Sequence, residues 1–117
     1  MEKKFFSING DINTQVYEKF LKFVDEVNRS DTKEIVIIID SNGGEITYGF
    51  AIYDILMALD IEITTIAIGK CRSIATVIFA AGNKRVITNN CYFLIHGASV
   101  NIDREKLNAK AAKDLWE

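Results

Sequence analysis

Proline is absent from this 117-residue chain, and tryptophan, histidine and cysteine are scarce: one, one and two residues. Without proline, the turns have to be built from Gly, Asn, Asp and Ser. The two thiols, Cys71 and Cys91, are isolated, and His96 stands alone, so no cluster has the spacing of a metal site. No apolar run approaches the roughly 20 residues of a membrane span. The start, Met1-Glu2-Lys3-Lys4-Phe5-Phe6, lacks the apolar stretch of a secretory leader, so the thiols read as reduced and the expected location is cytoplasmic. Basic residues do not dominate: 14 Lys and Arg stand against 16 Asp and Glu, a formal charge of -2, which argues against a nucleic-acid partner. Gly43-Gly44 belongs neither to a G-x-G-x-x-G fingerprint nor to a phosphate loop ending in Gly-Lys-Ser/Thr, so no cofactor is expected. What is present is an ordinary globular mix, 49% hydrophobic and 26% charged. It predicts one domain over residues 1–117 that needs no metal or disulfide staple.

The pattern of apolar residues predicts an α/β fold built on a mainly parallel sheet. Lys4 to Ile8 reads as a short strand ending in the turn Asn9-Gly10-Asp11. Thr14 to Asn28 carries Val16, Phe20, Phe23, Val24 and Val27 at helical spacing, with Asn13 or Thr14 as the cap. Glu34 to Asp40 holds five β-branched residues in a row, the mark of a strand buried on both faces. Ile46 to Leu59 reads as a helix and Ile61 to Ile68 as a second buried strand, which makes a right-handed βαβ unit. Gly69 to Arg72 reads as a loop, Ile74 to Ala81 as a core helix, and Lys84 to Thr88 and Cys91 to Ile95 as short strands around Asn89-Asn90. Asp103 to Trp116 reads as a last helix, with an apolar stripe of Leu107, Ala111 and Leu115.

Chemistry is expected at the C-terminal ends of the parallel strands, where open α/β sheets bind ligands. Gly43-Gly44 is either a tight strand-to-helix turn or a place where backbone N–H groups approach a ligand. Ser73, at the start of the core helix, is either an N-cap or a nucleophile. His96 follows a buried strand and is either a structural hydrogen-bonder or a general base suited to neutral pH. Cys71 is a rival nucleophile two residues before Ser73, and Arg72 either holds a carboxylate or points into water.

Four ordered segments resemble one family. The run Asp40-Ser41-Asn42-Gly43-Gly44 through Gly49 to Ile52-Tyr53-Asp54 resembles the Ser-Pro-Gly-Gly…Gly…Ile-Tyr-Asp segment of the Clp protease proteolytic subunit. Ile68-Gly69-Lys70-Cys71-Arg72-Ser73-Ile74-Ala75 resembles its nucleophile loop, Gly-x-Ala-Ala-Ser-Met-Gly/Ala. Ala80-Ala81-Gly82-Asn83-Lys84-Arg85 resembles its Ala-Gly…Lys-Arg stretch, and Phe93-Leu94-Ile95-His96 the strand ending in its histidine. The resemblance runs from about Phe5 to Ala98. It implies a crotonase-like fold of stacked βαβ units, a homo-oligomer, and hydrolysis of peptides or unfolded proteins by a serine triad. It makes Ser73 the nucleophile, His96 its base, and the N–H groups of Gly44 and Ile74 the oxyanion hole. No metal takes part, and an ATPase partner stays open.

The departures from the family pattern are specific. Asn42 replaces the usual Pro, Cys71-Arg72 replaces Ala-Ala, and Gly97-Ala98 follows the histidine in place of Gln-Pro. The resemblance places the third triad member and the C-terminal handle beyond Glu117, so the third member is unassigned and this 117-residue form is expected to be weak or inactive. Asn101, Asp103 and Asp114 are possible substitutes. The alternative readings are a catalytically inactive Clp-like ring or assembly subunit, a Ser–Lys peptidase using Lys110 or Lys113, and an acyl-CoA enzyme of the crotonase fold.

Overall fold

The computed structural model describes residues 2–95 and the backbone of residues 98 and 99. In chain order the elements are β1 (Glu2–Asn9), α1 (Thr14–Asn28), β2 (Thr32–Ser41), α2 (Ile46–Ala58), β3 (Glu62–Arg72), α3 (Ala75–Phe79), β4 (Lys84–Ile87), β5 (Tyr92–Ile95) and β6 (Ala98–Ser99). Helix α1 has the bounds its periodicity predicts. Its cap is Asn13, whose side-chain oxygen accepts the Val16 N–H at 3.0 Å. Phe20 and Phe23 pack their rings on Phe6 of β1, with centroids 5.5 and 5.1 Å apart, and so fasten α1 to the sheet.

Strands β1, β2 and β3 are parallel neighbours, as the βαβ reading predicts. Strands β4 and β5 do not pair with each other. Both run parallel to β3 on its other edge, β4 beside Thr64–Ala67 and β5 beside Lys70–Arg72. Strand β6, which the polar composition after His96 did not suggest, pairs antiparallel with β5.

The core gathers one set of alternating strand residues, among them Ile8, Ile35, Ile37, Ile39, Ile63 and Ala67, against Ile52, Tyr53 and Leu56 of α2 and Val77, Ile78 and Phe79 of α3. The other face departs from the expectation of a sheet buried on both sides. Val36 in the middle is buried, but Phe5, Ile68, Val86 and Tyr92 are 61%, 36%, 46% and 51% exposed. The unbroken β-branched run of β2 thus reflects a central position between two strands, whose side chains shield it, rather than a second layer among the described residues.

Strand β3 also corrects the expected loop at Gly69 to Arg72, because it continues through these residues out of step with β2. Ile39 of β2 faces Ala67 and Ser41 faces Cys71, so two steps on β2 match four on β3. Gly69 takes φ +57°, and the Asp40 carboxylate occupies the place a side chain there would need: a Cβ on Gly69 would lie 2.7 Å from Asp40 Oδ1. The same Oδ1 accepts the Lys70 N–H at 3.1 Å. On the far edge the partner strand changes at the same level: Ala67 faces Ile87 of β4, and Lys70 faces Tyr92 of β5.

Helix α3 is shorter than expected, five residues followed by turns, although the whole stretch from Ile74 to Ala81 is buried as an all-apolar segment should be. Thr65 Oγ1 donates to the Phe79 carbonyl at 2.6 Å and ties α3 to the regular part of β3. The last helix expected at Asp103 to Trp116, with its Leu107–Ala111–Leu115 stripe, lies outside the described residues.

Candidate active site at the ends of β2 and β3

Two turns leave the C-terminal ends of adjacent strands and touch. After β2 comes Gly43-Gly44, with φ +106° and +149°. After β3 comes Ser73, with φ +57°, the one non-glycine residue of positive φ among those described. A Cβ added to Gly43 would stand 2.8 Å from Ser73 Cβ, 3.3 Å from its Oγ and 3.1 Å from the Arg72 carbonyl oxygen. Only a glycine lets the first turn approach the serine this closely.

Each turn is anchored by its backbone. Ser41 Oγ accepts the Gly43 N–H at 3.0 Å. Ile12, in the loop after β1, donates its N–H to the Gly43 carbonyl at 2.8 Å and accepts the Glu45 N–H at 2.9 Å. Gly44 lies between these two bonds and makes the bridge to Ile12. The Ser73 N–H donates to the Leu94 carbonyl of β5 at 2.9 Å, and the Ser73 carbonyl accepts both the N–H (3.0 Å) and the Oγ1–H (2.7 Å) of Thr76. The left-handed serine is therefore fixed from both sides, at a local cost of roughly 1–2 kcal/mol.

This geometry bears on the two sequence readings of Ser73. The residue in the N-cap position of α3 is Ile74, and Ser73 Oγ makes no hydrogen bond to any described residue. The residue is half-buried. The N–H groups of Gly44 and Ile74 likewise find no acceptor among the described residues. With α3 only five residues long, a macrodipole adds little, and any anion here would be held by individual N–H donors. The structure brings Ser73, Ile74 and the Gly43-Gly44 turn together. His96 lies outside the described residues; β5, which leads towards it, ends at Ile95.

Cys71 is excluded as a competitor. It is fully buried, and burial pushes its thiol well above the usual range, with Cys91 adding to the rise. A thiol kept protonated is a poor nucleophile. Among the described residues no group of His, Cys, Asp or Glu could hold a metal ion, and no helix is long and apolar enough to cross a membrane.

Three contributors were not legible in the sequence. Ile12 carries no polar side chain to mark its backbone role. Asp40 reads as the end of a strand rather than as the filler of a bulge. Tyr92 gives no sign that Arg72 lies over its ring, with the guanidinium carbon 5.4 Å from the centroid. Arg72 is half-buried over that ring, and its Nη1 donates to Asn42 Oδ1 in an exposed bond of 3.4 Å. A cavity of about 180 Å³ lies at the opposite ends of the strands, between the end of α2 and the start of β4. Arg85 is the only titratable group in its lining, so it offers no acid–base pair.

Comparison with known proteins agrees with this layout. The chain is 30% identical over 98 residues to an ATP-dependent Clp protease proteolytic subunit of Carsonella ruddii (strain PV), an alignment covering 82% of this chain and 50% of that protein. It is 33% identical over 98 residues to the protein of the same name from Pleurastrum terricola, covering 81% and 50%. The chain thus spans about half the length of these curated relatives. Among solved structures, the crystal structure of the ClpP protease catalytic domain from Plasmodium falciparum superposes with a TM-score of 0.72 at 30% identity, covering 80% of this chain and 53% of that one. The profile of the Clp protease family matches residues 1–114. With that span, and with the serine and the double-glycine turn meeting at the strand ends, the chain belongs to the Clp protease family.

Proposed function

We propose that the chain carries the reacting groups of a Clp-type serine endopeptidase. In this reading Ser73 Oγ attacks the scissile carbonyl, and His96 takes its proton and later returns it to the leaving amine. The N–H groups of Gly44 and Ile74 hold the oxyanion that develops on the carbonyl oxygen, a role in which a single donor is worth roughly 10²–10³ in turnover. Water then repeats the cycle on the acyl-enzyme. No cofactor is needed. The third triad member stays unassigned; Asn101, Asp103 and Asp114 are its candidates and lie outside the described residues. Peptides or unfolded proteins would be the substrates. A cytoplasmic homo-oligomer that sequesters Ser73 is part of the same reading.

One observation carries it: an uncommitted serine hydroxyl, held at φ +57°, beside a double-glycine turn and two N–H groups without acceptors among the described residues. An N-cap needs neither the strain nor the close approach.

A fluorophosphonate probe tests the reading, because it reacts only with an activated serine. Labelling at Ser73 is expected, slow in this 117-residue form because no third triad member is assigned to hold His96, together with loss on Ser73→Ala of both the labelling and whatever peptide hydrolysis the protein shows. A folded protein that the probe leaves unlabelled would overturn it in favour of a non-catalytic assembly subunit.

A further inference from the structure

We propose that Arg72 is a specificity-determining residue that binds a substrate carboxylate beside Ser73. The proposal rests on the reading of Ser73 as the nucleophile, and it follows from where the guanidinium is held. Arg72 directly precedes Ser73, and Asn42 directly precedes Gly43. Because Gly43 and Ser73 are in contact, the bond from Arg72 Nη1 to Asn42 Oδ1 runs alongside the contact that defines the site. The side chain thus lies beside the Gly43–Ser73 contact, with Tyr92 beneath its guanidinium.

Both partners that fix it are neutral. Asn42 supplies a carbonyl oxygen and Tyr92 a ring face, so neither compensates the positive charge. The ion pairs among the described residues are Lys3–Glu34, Lys4–Glu2 and Arg29–Asp25, all away from this site. Asp40, the acidic residue nearest in sequence to Asn42, is turned to the backbone of Gly69 and Lys70. A guanidinium has five N–H donors, of which Asn42 takes one. What remains is a half-buried cation with spare donors and no carboxylate among the described residues. That arrangement suits the two parallel bonds an arginine makes to a carboxylate. The family pattern, with Ala-Ala before the serine and Pro before the double glycine, has neither the cation nor the amide that positions it. The two departures, Asn42 and Arg72, are therefore one device.

The carboxylate could be an Asp or Glu side chain near the scissile bond or the terminus of a peptide chain. Binding to the Ser73→Ala protein separates the two without turnover. Four fluorescent peptides of one sequence are compared by anisotropy, with Glu or Gln at the varied position and a free or amidated C-terminus. We expect about tenfold tighter binding for one carboxylate-bearing form over its neutral match, weakening with salt. The preference should vanish in Arg72→Ala and Arg72→Gln and survive in part in Arg72→Lys. In protein with Ser73 intact, the same preference should appear in kcat/KM. Equal binding of all four peptides, or a preference unchanged in every Arg72 variant, would overturn the proposal. Fluorophosphonate labelling of Ser73 in wild-type and Arg72→Ala protein keeps the two readings apart. Labelling without a carboxylate preference overturns the role of Arg72 alone. An Arg72-dependent preference without labelling supports the carboxylate site and overturns the nucleophile.

Discussion

The two halves of β3 differ. From Ile63 to Ala67 the strand matches β2 residue for residue, and from Thr64 to Ala67 it matches β4 in the same way. From Gly69 to Arg72 it is out of step with β2, its other flank has passed from β4 to β5, and Ser73 beyond it is left-handed. The regular half uses side chains to lock the fold: Thr65 on the Phe79 carbonyl, and Asn83 Oδ1 on the Ile63 N–H at 2.8 Å. The irregular half uses backbone and a carboxylate to hold a serine hydroxyl and N–H groups away from one another's partners. A parallel ladder satisfies its own donors and acceptors, so groups left for a ligand can appear only where it is interrupted.

The comparison can be broken most forcefully at Gly44. An added Cβ would overlap the Ile12 carbonyl oxygen, which cannot move without losing its bridge. Gly44→Ala is expected to cost about 3 kcal/mol in urea unfolding and to abolish labelling of Ser73. Wild-type stability with full labelling would mean that the Ile12 bridge does not position the turn. The regular half should respond differently. Thr65→Val removes the hydroxyl and leaves the buried Phe79 carbonyl with only the Gly82 N–H at 3.4 Å, a loss of about 1–2 kcal/mol. Ser73 should still be labelled at the wild-type rate in the protein that remains folded; slower labelling would show the halves to be coupled.

The smallest effect has the opposite sign. Ser73→Gly relieves the left-handed strain and should stabilise the fold by about 1 kcal/mol, read as a rise in the unfolding midpoint, while hydrolysis is lost. A lower midpoint would show that the Ser73 side chain contributes more to packing than its half-buried position suggests.

Much of the architecture was legible because it rests on periodicity. Val16, Phe20, Phe23 and Val27 mark α1, and the β-branched run from Ile35 marks a central strand; both depend only on neighbours along the chain. The end of β3 was not legible. Gly69 reads as a breaker, yet the chain stays in the sheet because the Asp40 side chain, 30 residues away in sequence to the Lys70 N–H it accepts, fills the bulge. The open face carrying Phe5 and Val86 was hidden for a similar reason, since β-branched residues report how central a strand is rather than what covers it.

For the site, the residue types and order along the chain, Gly43-Gly44, then Ser73-Ile74, then His96, were enough to raise the chemistry and suggest the family. The left-handed φ of Ser73 and its contact with Gly43 were not in that order, because they join strands distant in sequence. The neighbours of Arg72, Asn42 and Tyr92, were set in the same way. A sequence determines the local pattern, because propensity and periodicity act over a few residues. Partners brought together by parallel strands are separated by whole crossovers, and only the folded sheet sets which of them meet.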